Sequence, residues 1–527
     1  MRQYRRIVRQ CRKGVRLALL GLASAMVVSA VIGVTPVTAD STNFVVAVQK
    51  NPPTMEPMRE NSNAQMRVLY NIAETLISID FKGGFKLIPG LATEWKRLDN
   101  LTLEFKLRKG VKFHNGEEMT SEDVAFTFGS ERFTGENAPG WPVAKQYLGV
   151  ISGTEIIDKY TIRISSKTPD PLLEQRFANY MSEIISKKGY QDAGDWDKWS
   201  RNIIATGPYK LVEVKTGEYI KLERFDGYWG DKAPAKTVTF KVVPEVSSRI
   251  AGLTTGEYDI ISEIPPDQLD GIDKTKGIEA AGGPIRNIRA INYDETNARL
   301  SDPRIRRALN LAIDRQLIVD TLYQGRTAVP RGMQQELFAD MYIKDWPELE
   351  FNPAKAKALL AEAGYKGEEI YYRVLSDYYT LEVSTAQILV EMWKNVGLNV
   401  QMQIKENWDQ ITEDNESRHI FNSSNTAVYP DPVGQLWRRF GPRGWYQGQK
   451  AFVNAEFNVQ GKILETSTDL ATRRAAFRRL LEIYHEEDPG GTPLHELTMF
   501  YGKQESINWT AYSFEYMDLR AGNLSFK

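Results

Sequence analysis

Between Trp408 and Tyr446 the sequence concentrates side chains suited to gripping a small solute. Trp408, Tyr429, Trp437, Trp445 and Tyr446 offer flat ring faces, Arg438, Arg439 and Arg443 offer guanidinium forks, and Asp431 lies between two prolines. Aromatic rings sandwich a ligand by stacking, and an arginine takes a carboxylate through two parallel hydrogen bonds. Trp408, Tyr429, Asp431, Trp437, Arg438 and Trp445 are therefore the candidate ligand-binding residues. Each has a plainer reading beside it. Tryptophans in an α/β chain of this size are usually core or edge residues, Asp431 between Pro430 and Pro432 suits a cap or a turn, and Arg438-Arg439 suits a solvated face. Tyr371-Tyr372 and Tyr378-Tyr379 open loops that would reach the same site at similar odds.

Covalent chemistry finds only near misses. His495-Glu496-x-x-Met499 lacks the second histidine that would let two imidazoles hold zinc from one helical face. Ser152 has Gly153 beside it but no glycine two residues ahead, so it is no nucleophile elbow. Neither Gly461-Lys462 nor Gly502-Lys503 has a glycine five positions upstream, which removes a phosphate-cradling loop. The four histidines, at 114, 419, 485 and 495, share no ligand spacing. A carboxylate pair for glycoside hydrolysis stays open among 68 acids, but nothing singles one out. The expectation is a protein with no catalytic residues, no metal and no cofactor.

The first 39 residues read as an export leader. Arg2, Arg5, Arg6, Arg9, Arg12, Lys13 and Arg16 precede an apolar run over residues 17–34, and Val37-Thr38-Ala39 offers cleavage after Ala39. Cys11 precedes that run, where a lipidated cysteine would have to follow it. Removing the leader leaves 60 Lys and Arg against 68 Asp and Glu, about eight net negative charges, and no cysteine. An acidic chain argues against nucleic-acid or anionic-membrane partners, which reward clustered Lys and Arg. With 42% hydrophobic and 26% charged residues the chain is ordinary for a globular protein, and its 527 residues imply two or more domains.

The elements that must position the site alternate in type. Residues 44–49 read as a buried first strand and residues 65–79 as a helix spaced by Val68, Leu69, Ile72 and Leu76. Residues 91–100 read as a polar helix end, followed by a strand in which Leu101, Leu103, Phe105 and Leu107 share one face. Gly110 and Asn115-Gly116 turn the chain, and Thr120 with Asp123 caps the next helix. Asp302-Pro303 and Asn352-Pro353 each combine an N-cap residue with proline at the first helical position. The second of these helices ends at Gly364, and a helix over 381–396 ends at Gly397 before the alternating strand of Val400, Met402 and Ile404. Pro489-Gly490-Gly491, followed by residues 494–501, suggests a return crossing into the first part of the molecule.

Leu91-Ala92-x-x-Trp95, Phe105-x-Leu107-Arg108-x-Gly110-Val111-x-Phe113-His114-x-Gly116 and Glu122-Asp123-Val124 resemble the signature of family 5 extracellular solute-binding proteins, the periplasmic receptors of peptide-type ABC importers. The resemblance extends over essentially the whole chain after the leader, in motif order as well as content. It implies an α/β, two-lobed periplasmic binding fold (type II, cluster C-like). Lobe one would span 40–286 with an extra subdomain over 82–200, lobe two 287–489, and residues 490–527 would return to lobe one. Ligand would be enclosed between lobes that shut about a hinge crossed near residues 284–292 and 485–493. The implied partners are a small peptide or peptide-like solute and an ABC permease with separate ATPase subunits, in the periplasm, with a monomer expected outside that complex. In peptide-binding relatives an aspartate that pairs with the ligand's ammonium stands where this chain has Val428, in Ala427-Val428-Tyr429-Pro430-Asp431-Pro432. Either another acid takes over here or the ligand is an opine-type conjugate or an oligosaccharide; a secreted hydrolase is the remote alternative.

Overall fold

The computed structural model describes residues 42–376 and 378–527, so the leader expected over residues 1–39 lies outside the described residues. Ten strands form one mixed sheet in the order Val400–Lys405, Ile370–Leu375, Ile420–Thr426, Ile278–Tyr293, Gly491–Gln504, Ile260–Ile261, Asn43–Val48, Thr237–Val242, Tyr219–Arg224, Tyr209–Lys215. Its two middle strands are the longest, 16 and 14 residues, and run antiparallel to each other. One flank is built from residues 43–48 and 209–261, the other from residues 370–426. Within each flank the pairing includes parallel strands: Asn43–Val48 beside Thr237–Val242, and Ile370–Leu375 beside Val400–Lys405.

Strands covered on both faces read as continuous apolar runs rather than alternations. Phe44, Val46, Ala47 and Val48 are all fully buried, which is why this first strand lies deep in the sheet. The middle pair is regular from Ile278 opposite Gln504 to Pro284 opposite Thr498, shifts register, and resumes at Ile288 opposite Glu496. At the interruption Arg286 turns its backbone elsewhere: its N–H donates to Ser513 O (3.0 Å), and its carbonyl accepts from Ala427 N (2.8 Å). A bulge of this kind bends and twists a strand pair locally.

A separate four-stranded antiparallel sheet has the order Ala92–Arg97, Thr102–Leu107, Thr161–Ser166, Ile151–Asp158. Leu103, Phe105 and Leu107 put one face into its core with Ile162 and Ile164, whereas Leu101 stands one residue outside the strand and is 38% exposed. The polar helix end expected before it is instead the strand Ala92–Arg97, joined to its partner by a turn in which Asp99 Oδ1 accepts from Leu101 N (2.7 Å) and Thr102 N (2.9 Å). Thr120 and Asp123 form the capping box of the helix Ser121–Thr127. Asp302 and Asn352 cap Pro303–Leu311 and Pro353–Glu362 through Arg304 N and Lys355 N.

The helix expected over 65–79 is shorter. It runs from Asn63 to Leu69 and gives way to a turn and the strand Ile77–Asp80. The backbone beyond Leu69 is taken by tertiary partners: Gly207 N donates to Ile72 O (2.8 Å) and Tyr209 N to Asn71 O (3.1 Å), while Asn71 Oδ1 accepts from Leu519 N (2.9 Å). No described helix is long and apolar enough to cross a membrane.

A Cβ on Gly207 would lie 2.5 Å from the Ile72 carbonyl carbon, a backbone atom that cannot step aside. Gly207→Ala should therefore lower stability by about 2 kcal/mol, on the scale of overpacked cores, read as a fall in thermal midpoint. An unchanged midpoint would mean that this crossing is not tightly packed.

Candidate ligand-binding cleft

A cavity of about 700 Å³ lies against the middle of the sheet. Its walls come from both flanks: the loop from Lys50 to Ala64, Pro142–Gln146 and Val214–Gly217 on one side, and Tyr378, Tyr379, Trp408, Phe421–Ser424 and Arg438–Tyr446 on the other. That volume is in the range of small-molecule sites, which are concave and mostly apolar with a few directed polar groups. Three capped or strand-anchored elements set the second wall. Asn407 caps the short helix Trp408–Thr412, Ile420–Thr426 pairs with the first long strand, and Trp445–Gly448 is a single helical turn entered at Gly444.

The apolar lining is an edge-to-face aromatic array. Tyr378 meets Tyr379 at 4.7 Å and Trp408 at 5.0 Å between ring centres, both near perpendicular. Trp445 meets Phe421 at 5.8 Å and Tyr446 at 5.0 Å. Edge-on packing fixes these rings by the attraction of one ring's positive edge for another's negative face. Tyr378 OH also accepts from Asn63 N (3.1 Å), a tie across the cavity mouth.

Of the six residues singled out from the sequence, the structure brings Trp408, Arg438 and Trp445 to the cavity wall and places the other three behind it. Tyr429 is buried, with its hydroxyl accepting from Arg176 Nη1 (3.1 Å). Asp431 caps Val433 N (2.9 Å) and takes both Nη2 contacts of Arg473 (2.9 and 2.8 Å). Trp437 lies flat on Gly461, where a Cβ would come within 1.9 Å of the indole. A buried carboxylate already paired with an arginine and a backbone N–H has no remaining need for a ligand. Val428 is buried in the same core and also lies off the cavity wall.

Sequence reasoning named Arg439 among three guanidinium forks but missed Glu60, which also lies on the wall. Glu60, in the loop before the helix Asn63–Leu69, has a buried Oε2 with no hydrogen-bond partner, and burial pushes its carboxyl up to about 7, against the downward pull of the Ser62 hydroxyl and Lys50. Arg439 stands with its guanidinium over the Tyr446 ring (5.2 Å) and its Nε buried without a partner. Glu60 carried no signal in the sequence. Arg438 itself is fully engaged, donating to Gln146 Oε1 (3.0 Å), Tyr147 OH (2.8 Å), Gly434 O (3.2 Å) and Thr426 O (3.2 Å).

The histidines are structural. His114 bonds Gly207 O (3.0 Å), His485 Nε2 accepts from Met333 N (2.9 Å) and His419 Nδ1 from Tyr371 N (2.9 Å). Burial lowers His114 to about 4 and His485 and His495 to about 3, so each rests neutral. Among the described residues no three His, Cys, Asp or Glu side chains gather as a metal site.

A wide sheet whose two flanks share a central strand pair, with an enclosed cavity walled from both, defines a two-lobed periplasmic solute-binding fold. Residues 86–447 match the model of the bacterial extracellular solute-binding proteins, family 5 (middle). The chain belongs to this family. It is 28% identical over 366 residues to the dipeptide-binding protein of Escherichia coli K12, covering 65% of this chain and 68% of that one. It is 29% identical over 355 residues to the glutathione-binding protein GsiB of Salmonella paratyphi A, covering 66% of this chain and 65% of that relative's length. The fold superposes with a TM-score of 0.82 on the periplasmic binding protein DppA of Helicobacter pylori in complex with the peptide STSA, at 20% identity, over 92% of this chain and 98% of that one.

Two expectations separate structural from ligand-facing acids. Asp431→Asn should destabilise the protein by about 3 kcal/mol, because Arg473 loses its buried counter-charge, and should leave affinity for a bound solute unchanged in the folded fraction; a loss of affinity at unchanged thermal midpoint would reverse that assignment. For Glu60 the folded-state carboxyl titrates above its ordinary 4.5, so its favourable protonated form is fully present below 4.5 and lost as pH rises through about 7. The thermal midpoints of Glu60→Gln and the parent should coincide near pH 4 and diverge in favour of the variant, by about 1–3 kcal/mol, above pH 7. Parallel profiles would contradict the burial of this acid.

Proposed function

We propose that the chain is the solute-capturing receptor of an ABC importer, carrying a peptide or peptide-like solute to its permease in the periplasm. The observation that carries this reading is the cavity, whose wall is incomplete without residues from both flanks of the sheet. Ligand contacts made from both sides exist together only when the cleft is shut, so binding draws the population toward the closed form, which a permease can tell from the open one. Lobe one is assigned to residues 40–286 with the subdomain over 82–200, lobe two to 287–489, and residues 490–527 to the return. The leader is assigned to residues 1–39, with cleavage after Ala39. The receptor works as a monomer and makes or breaks no bond; ATP is hydrolysed by separate subunits of the importer.

Support comes from the family, from the peptide and glutathione ligands of its relatives, and from the aromatic array that suits a flat or extended solute. A second reading, an opine-type conjugate, rests on the family resemblance, which places an aspartate for a free amino terminus where this chain has Val428, a residue buried off the cavity wall.

Thermal-shift measurements on the mature protein with dipeptides, longer peptides, opines and oligosaccharides test the reading. A true ligand at a hundred times its dissociation constant adds about 3 kcal/mol of stability, and small-angle scattering should show the particle contracting. Scattering unchanged by every solute, or turnover of one of them, would overturn it.

A further inference from the structure

We propose that the cleft selects solutes with a net negative charge, at least one carboxylate beyond those balanced by ammonium groups, and that Arg439 seats the extra carboxylate. This rests on the receptor reading and specifies its ligand.

The cavity wall carries Lys50, Arg59, Lys215, Arg438, Arg439 and Arg443 against two acids, Glu60 and Asp409. Several of these cations are already answered by acids. Arg59 pairs with Asp197, Lys215 with Glu218 (2.8 Å) and Arg443 with buried Glu465, while Lys50 bears on Glu60. Arg438 is answered by neutral groups, the side chains of Gln146, Tyr147 and Asn425 and the carbonyls of Gly434 and Thr426. Arg439 is the exception on geometry as well as charge. Its Nη2 reaches only the Tyr446 hydroxyl, at 3.5 Å, its Nε is buried and unpartnered, and it makes no ion pair among the described residues.

A guanidinium withdrawn from water with donors unspent is disfavoured until an acceptor arrives. The fork matches a planar carboxylate through two parallel bonds, and the Tyr446 ring beneath it holds the plane without occupying the edge. Arg439 and Arg438 are consecutive, so their charges add at one end of the cavity. The other acid, Asp409, lies exposed at the first turn of the helix Trp408–Thr412, away from any need to neutralise them. A zwitterion would satisfy one arginine and add an ammonium to a wall already rich in cations. A solute with a second carboxylate meets the charge that the wall leaves over. Phosphate oxygens share this chemistry with carboxylates, and the planar fork favours the carboxylate.

The test is a charge series by titration calorimetry on the mature protein at neutral pH: trialanine, trialanine amide, N-acetyl-trialanine, glutathione, Glu-Ala-Glu, maltotriose and inorganic phosphate. The expected result is that glutathione or Glu-Ala-Glu binds at least tenfold tighter than trialanine, and that the amide is weakest of the peptides. Arg439→Met should erase the advantage of the acidic probes over trialanine, and Arg439→Lys should restore part of it. Trialanine binding as tightly as the acidic probes, or an acid preference intact in Arg439→Met, would overturn the inference and leave the receptor reading standing. Binding of maltotriose alone, or of phosphate in preference to the carboxylates, would do the same. Because the series in the parent protein is decisive alone, a variant that fails to fold does not spare the proposal. Silence across all probes would remove the receptor reading together with the inference.

Discussion

The rest of the molecule depends on one interaction, the antiparallel pairing of Ile278–Tyr293 with Gly491–Gln504. These two strands lie in the middle of the sheet, and each flank is hydrogen-bonded to one or the other of them. Their ladder is interrupted between Pro284 and Ile288, where Pro284 has no N–H to give and Arg286 directs its backbone to Ser513 and Ala427, and shifts register again between Arg289 and Ala290. Such bulges bend and twist a strand pair locally. The second strand is also held from outside: buried Arg315 donates to Pro493 O (2.7 Å) and Thr492 Oγ1 (2.6 Å), and buried Arg306 to Pro489 O (2.9 Å).

Buried arginines recur as the device that stabilises irregular backbone. Arg249 is wholly enclosed by carbonyls of Val243, Pro244, Ser262 and Glu263, and Arg373 by those of Gln410, Ile411 and Glu413. Five donors in a rigid plane satisfy several carbonyl groups that a loop cannot pair internally, and a delocalised cation is less costly to withdraw from water than an ammonium. Contacts between residues 146–176 and residues 426–465 use the same chemistry: Arg176 joins Asp170 to Glu465 and the Tyr429 hydroxyl, and Arg438 joins Gln146 and Tyr147 to Thr426. Buried Nε atoms without a partner also occur at Arg67, Arg132, Arg373 and Arg520, but those guanidinium groups are tied at their ends to carboxylates or carbonyls, whereas the Arg439 fork reaches only the Tyr446 hydroxyl.

Local features were legible because short-range physics decides them. The caps at Thr120, Asp302 and Asn352, the alternation of Leu103, Phe105 and Leu107, and the helix closed at Gly397 involve groups within a few residues of one another. The helix expected to Ile79 failed where distant partners took Asn71 and Ile72, Gly207 and Tyr209 through the two backbone carbonyls and Leu519 through the Asn71 side chain. Composition pointed to the right stretch for the cleft, residues 408–446, but not to which of its rings face the solute. Tyr429, Asp431 and Trp437 lie between the wall residues Thr426 and Arg438, and only Arg176, Arg473 and Gly461, from other parts of the chain, claim them for the core.

What the sequence determined by itself is therefore the set of elements, the family to which their motifs belong and the segment that supplies one wall of the cleft, since caps, periodicity and turn residues act over a few bonds. The tertiary structure alone decided which side chains the cleft exposes and which charges it leaves unmatched. Whether Glu60 or Arg439 has a partner depends on groups hundreds of residues away being brought near it or kept from it, and burial and pairing are properties of the packed molecule rather than of any stretch of chain.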